Sequence, residues 1–292
     1  MPIPSHALTL PGNVGHVYSI ADGSFVLRTA AGQFLTIDDP APGFVDALRA
    51  PALGIAAEIA AESAREITPE TDFAQRLILE ARARHDTAAE ARWPASRRGV
   101  ILVGEGLIVD AVAQALRDWG CELTLLPKAD ALDDDPAFRD APDKAHDTLL
   151  ISYADSAVER RAWSTRGQGF TDRLAWLRAY REGEVCFVDP LTVGAHDADA
   201  HQVLRRRVAA SLSPTALTRW AEIGPRSPVP DTYSRAMVVS RILTVALAWA
   251  QQRDDVTVFR RTLWKLVPLT GRATEHPVLG YPQPYGPPRG TV

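Results

Sequence analysis

The stretch from Val100 to Leu116 reads VILVGEGLIVDAVAQAL: an apolar strand, a glycine turn and a helix. A nucleotide phosphate settles on this layout, held by backbone N–H groups at the helix N-terminus. Three glycines do separate work in the full fingerprint. The first allows the tight turn, the second the approach of pyrophosphate, and the third close packing of helix on strand. Gly104 and Gly106 stand at the first two places and Val109 at the third. Glu105 sets a carboxylate where phosphate would lie, and like charges repel. The acid that would hold ribose after the second strand is also missing: residues 121–126 run into Pro127 and Lys128, and the next acid is Asp130. Gly104 and Gly106 are thus vestigial cofactor-binding candidates, and a turn kept for structure is the preferred reading.

Other chemistries find less. His196, Asp197, Asp199 and His201 have metal-ligand types, but spacing on a helix pairs His196 with Asp199 and Asp197 with His201, on two different faces. Helix capping by Asp197 or Asp199 is the favoured role. The two cysteines, Cys121 and Cys186, make no Cys-x-x-Cys pair, so a thiolate zinc site is excluded and buried thiols are expected. There is no Gly-x-Ser-x-Gly elbow and no phosphate-binding lysine loop. No catalytic residue and no metal site is assigned.

The elements that must position these residues fall into two patterns. Residues 16–20, 24–29 and 33–38 are short alternating strands separated by Asp22, Gly23 and Gly32. Helices are expected over 43–50, with Phe44, Val45 and Leu48 on one face, and over 55–64. A third begins after Thr68 as N-cap, with Pro69, Glu70 and Asp72 in its first turn and a stripe of Phe73, Leu77, Ile78 and Ala81 running out by His85. Three strands and three helices make a winged-helix-like module over 1–92. A polar segment around Pro94 separates it from 97–292, where strands and helices alternate as in an α/β, Rossmann-like domain. There the expected elements are strands 99–103, 121–126, 148–152 and 185–188, and helices 107–119, 170–181, 198–211 and 233–252. Residues 256–267 read as one or two strands, the acidic stretch 130–147 as a solvated loop, and the tail from His276 as extended.

Composition bounds the function classes. The 292 residues are 46% hydrophobic and 23% charged, which is globular. A net charge of −4 gives no footprint for nucleic acid. No apolar run reaches the ~20 residues of a membrane span, and no signal peptide is visible, so the expected location is cytoplasmic.

Several stretches together resemble the ThiF-like partner proteins of bacteriocin and related ribosomal-peptide biosynthesis. These join a PqqD-like peptide-recognition domain to a domain derived from adenylating enzymes of the ubiquitin-activating type. Residues 16–85 are similar to the first part and 99–126 to the opening of the second. Glu182–Val193 and the ending Thr270–Pro282 resemble two further segments of the family. The chain departs from the adenylating members in four features: the glycine loop, the acidic pair after the second strand, a nearby Arg-Gln motif and the zinc cysteines. The resemblance therefore implies recognition without ATP or zinc: binding of the leader region of a precursor peptide and its presentation to a modifying enzyme, commonly a YcaO-type cyclodehydratase.

In that family the peptide adds a strand to an exposed edge, with main-chain bonds giving affinity. The resemblance maps the groove onto Gln33–Asp38 against Glu70–Ala83. Phe34, Leu35, Thr36, Ile37, Phe73, Arg76, Leu77 and Glu80 are the peptide-binding candidates, with Ile78 in the apolar floor and Arg76, Arg82 and Arg84 as partners for acidic residues. Only one strand face can line such a groove while the other packs inward, and which one is open at this stage. Two other classes compete: an adenylating enzyme using ATP–Mg, and a dinucleotide-binding oxidoreductase. A homodimer is a further expectation, with Trp176 and Tyr180 of helix 170–181 as exposed aromatic candidates.

Overall fold

The computed structural model describes residues 7–20, 24–38, 40, 42–49, 69–127, 147–161, 163, 174–194 and 196–281. They belong to two units, Met1–Ala91 and Arg92–Val292. The expected helix 55–64, the Thr68 cap, the turn at Asp22 and Gly23, most of the acidic stretch 130–147 and the end of the tail lie outside the described residues.

Alternating side chains build the first unit. Its strands are β1 (Leu8–Thr9), β2 (Gly15–Ser19), β3 (Phe25–Thr29) and β4 (Phe34–Ile37), all antiparallel and in sequential order. β1 was not expected; it pairs Leu8 with Val17. The β3–β4 hairpin closes through Thr29 N–H to Gln33 O and Gly32 N–H to Thr29 O, both 2.9 Å, with Gly32 at φ +82°. That left-handed position is the reason for a glycine there. Leu10, Val17, Leu27 and Ile37 pack on Phe44 and Leu48 of α1 (Phe44–Arg49) and on Ala74, Ile78 and Ala81 of α2 (Pro69–Arg92). The Phe44 ring meets Phe25 and Phe73 edge-on at 5.8 and 5.3 Å. α2 continues past His85 to Arg92. The apolar stripe ends there, but alanine, glutamate and arginine carry the helix on by intrinsic preference.

The second unit holds a seven-stranded sheet in the order β11-β10-β9-β8-β7-β5-β6. The strands β5 (Gly99–Val103), β6 (Glu122–Leu126), β7 (Thr148–Ala154) and β8 (Ala175–Glu182) run parallel. β9 (Val185–Val188), β10 (Thr262–Val267) and β11 (Arg272–Pro277) are antiparallel to their neighbours. α3 (Leu107–Asp118) buries Ile108, Val112 and Leu116 on one face of the sheet. It ends where Gly120, at φ +78°, lets Cys121 N–H reach Leu116 O at 3.0 Å. Between β9 and β10 come α4 (Ala200–Ala209), α5 (Pro214–Ile223), α6 (Thr232–Ala250) and the single turn α7 (Val256–Phe259). Val238, Ile242 and Trp249 of α6 share the core of α3, while Trp163, Ala198 and Val203 cover the opposite face.

Two expectations are corrected here. The described part of the expected helix 170–181, residues 174–181, is not helical: from Ala175 it is β8, a central strand. Trp176 and Tyr180 enter one core cluster, Ala175, Leu177 and Ala179 the other. A strand covered on both faces shows no apolar–polar alternation, so its pattern passes for a helix. Trp176 and Tyr180 are consequently buried, and they give no dimer surface. Residues 256–267 combine α7 with β10 instead of being strand throughout. Among the described residues no helix is long and apolar enough to cross a membrane.

Candidate functional site

β4 is an edge strand of its sheet. The hairpin sets its bonding phase: Thr29 and Gln33 form a hydrogen-bonded pair, so Leu35 and Ile37 also turn their N–H and C=O groups to β3. The backbone groups of Phe34 and Thr36 therefore face outward. Side chains divide the same way: Phe34 and Thr36 are exposed, whereas Leu35 and Ile37 pack into the core. Phe34 and Thr36 are thus the outer side chains of β4, and Leu35 and Ile37 the inner ones.

Beside this edge lies a groove of about 470 Å3 lined by Thr36, Ile37, Asp38, Phe73, Arg76, Leu77 and Glu80. Six of the eight candidates from the sequence meet there. Leu35 belongs to the core below, and Phe34 stands out from the sheet with the Arg28 guanidinium 5.7 Å from its ring centre. Spacing explains the helix side: Phe73, Arg76, Leu77 and Glu80 are three and four apart, hence on one face. Ile78 is turned to the core instead. Of the three proposed arginines, Arg84 is paired with Glu80 at 2.7 Å, and Arg82 lies toward Gly12, where a Cβ would be 4.0 Å from its Nη2. The three do not present one basic surface.

The glycine turn after β5 is tightly built. Gly104 has φ +130°, and a Cβ there would lie 2.6 Å from the Tyr153 carbonyl oxygen. Its N–H is used by Leu126 O at 2.9 Å. Contact between strand ends therefore accounts for this glycine without a ligand. Gly106, at φ +100°, is the N-cap of α3 and supplies no side-chain cap. Val109 is buried in the core, at the place of the third glycine. Glu105 is exposed, and Leu125 and Leu126 end β6 where an acid would hold ribose. The end of β7 is tied by Tyr153 Oη donating to Asp155 Oδ1 at 2.6 Å and by Arg181 Nη1 at 3.3 Å from the same oxygen. Burial first, then Asp155, pushes the Tyr153 hydroxyl well above its ordinary value. The residues present fit an ATP or dinucleotide phosphate poorly.

Two buried ionic clusters escaped sequence reasoning. Arg178 is fully buried; its Nε donates to Asp189 at 3.0 Å, Nη1 to Thr192 at 3.0 Å and Nη2 to Ala198 O at 3.1 Å. Glu182 accepts from Arg207 at 3.0 and 2.5 Å and pairs with Arg160 at 2.8 Å. Burial raises the Glu182 carboxyl, but the two arginines outweigh it and hold it below the usual range. Three charges within an otherwise apolar stretch, Arg178, Arg181 and Glu182 of β8, were the available signal, hidden by reading the stretch as helix. Asp199 caps α4 through Gln202 N–H at 2.7 Å, and Asp197 binds Arg260 and the Val193 and Gly194 amides. Among the described residues no three potential metal ligands converge. Both cysteines are buried and free.

No protein-family profile matches the sequence, and comparison with curated proteins gives no match. Solved structures do match in shape. The "E. coli Microcin synthetase McbBCD complex with pro-MccB17 bound" contains a chain 12% identical, with 95% of this chain and 98% of that one covered and a TM-score of 0.48. The "Crystal structure of E. coli MccB" is 8% identical, with coverages of 94% and 95% and a TM-score of 0.47. The "Structure of the heterocyclase TruD" is 16% identical over 92% of this chain but only 41% of that one, with a TM-score of 0.46.

Proposed function

We propose that the first unit binds an extended segment of a ribosomal precursor peptide by strand addition to β4, and that the protein presents this peptide to a modifying enzyme. The observation that carries this reading is the edge of β4, where the outward backbone groups of Phe34 and Thr36 lie beside the groove against α2. A peptide strand there gains main-chain bonds on one side and α2 contacts on the other. The resemblance of residues 16–85 to PqqD-like domains supports the leader region as the peptide. It also supports a partner of the YcaO cyclodehydratase type. The second unit serves as a scaffold without nucleotide: Gly104 has a structural reason, Glu105 opposes phosphate, and β6 ends in leucine.

The test is fluorescence polarisation of the full chain with labelled synthetic leader segments of ribosomal precursor peptides. Thr36→Pro removes one outward N–H and leaves the β3 ladder intact, as an edge position permits. Binding should weaken at least about tenfold, or 1.4 kcal/mol. Unchanged binding would refute the β4 reading. Titration of the wild-type chain with ATP–Mg should give no saturable binding; a saturable signal would favour the adenylating enzyme.

A further inference from the structure

A cavity of about 220 Å3 lies within the second unit, on the sheet face that carries Trp176, Tyr180 and Phe187. α4, the end of α5 and the chain after β7 close it over Tyr180, and none of its lining residues belongs to the glycine turn. Two of its polar groups are buried without a hydrogen-bond partner among the described residues: the Asp189 Oδ1 oxygen and the Arg160 Nε–H. The Asp189 side chain is 3% exposed, and its other oxygen accepts from Arg178 Nε at 3.0 Å. Arg160 uses Nη1 on Glu182 at 2.8 Å and lays its guanidinium 4.4 Å from the Tyr180 ring centre. Tyr180 Oη accepts from Arg207 at 3.1 Å. Burial first, then Asp189, pushes the Tyr180 hydroxyl up, so it keeps a proton to donate. Buried polar groups need partners, and these three mark where the complementary atoms of a ligand fit.

The charges set the sign of that ligand. Arg178 and Asp189 offset each other, while Glu182 is one carboxylate shared by Arg160 and Arg207, which leaves one positive charge over. We propose that the cavity binds a small carboxylate with a hydrogen-bond donor on the neighbouring carbon, an α-amino or α-hydroxy acid with an apolar side chain. The carboxylate meets Arg160 Nε and the Tyr180 hydroxyl, and the donor meets Asp189 Oδ1. The side chain lies against Trp163, Leu204 and Ala221 on the apolar part of the wall. An anion with no donor would face Asp189 with like charge. Because the walls come from separate stretches of chain, the bound acid ties α4 and α5 to the sheet. The site does not depend on how β4 is used.

Thermal melting and isothermal titration calorimetry of the full-length chain test this with L-leucine, L-phenylalanine and their 2-hydroxy counterparts. These acids should raise the melting temperature saturably, as ligands of the native state do. The acids 4-methylpentanoate and 3-phenylpropionate lack the donor, and the amides of leucine and phenylalanine lack the carboxylate. Both sets should bind about tenfold or more weakly. Ala221→Trp fills the cavity and should abolish the response, whereas Ala216→Trp, at an exposed position of α5, should keep it. Circular dichroism checks that both variants fold, and the analogue series on the wild-type chain decides without them. Equal binding of the donor-free acids, or a response that survives in folded Ala221→Trp, would overturn the site. No saturable response to any of the four acids would overturn it as well.

Discussion

Single side chains in the second unit are fixed by charge pairing inside the core, and their behaviour with pH follows. Glu182 has its carboxyl held below the ordinary range by Arg207 and Arg160 against the opposing effect of burial. A depressed carboxyl stabilises the fold fully above the unfolded value of about 4.3 and loses that contribution as pH falls through the folded value. Glu182→Gln should cost about 3 kcal/mol at neutral pH, because it leaves two arginines half-buried without their anion. It should also flatten the decline of stability below about pH 4, read by denaturant unfolding at several pH values. The cysteines behave oppositely. Burial, against Arg98, pushes Cys121 up to about 12, and burial, against Arg181, pushes Cys186 up to about 11. Both thiols should resist Ellman's reagent at pH 8 in the native chain and react at once in guanidinium; fast native labelling would contradict their burial. The thiols were legible in the sequence as apolar strand residues. Arg178, Glu182 and Arg207 were not, since their partners are brought together only by the sheet.

At the scale of elements, β8 and α2 show where local pattern fails and why. β8 is packed on both faces, so its Trp, Leu and Tyr residues satisfy a helical period as well as a strand period. α2 extends beyond its apolar stripe because small and charged helix formers prolong it. The hairpins, α3 and the glycine turn were readable because Gly32, Gly120 and Gly104 each sit where only a glycine fits comfortably. Gly104 makes this quantitative: Gly104→Ala should destabilise the protein by about 3 kcal/mol, the upper end of backbone strain, since overlap with the Tyr153 carbonyl adds to the unfavourable φ. Thermal melting measures it, and a neutral substitution would show that the turn is looser than described. Asp199→Ala should cost about 1 kcal/mol by removing the α4 cap, with no change in peptide binding.

For the whole molecule, the sequence holds a glycine turn with the layout of a nucleotide site and an edge strand with the layout of a peptide site, and the proposed function rests on the second. The turn is explained by the contact of strand ends. The edge has outward main-chain groups, a groove and a helix face that nothing in the fold requires. Six groove residues could be named from a family resemblance, while the outward phase of the β4 backbone could not, because the turn bond between Thr29 and Gln33 sets it. Amide hydrogen exchange of the full chain, with and without the precursor peptide, separates the two places directly. The account predicts slowed exchange at the Phe34 and Thr36 amides, and none of it at residues 104–110. Protection confined to the turn at Gly104–Gly106 and the start of α3, with β4 unchanged, would contradict it.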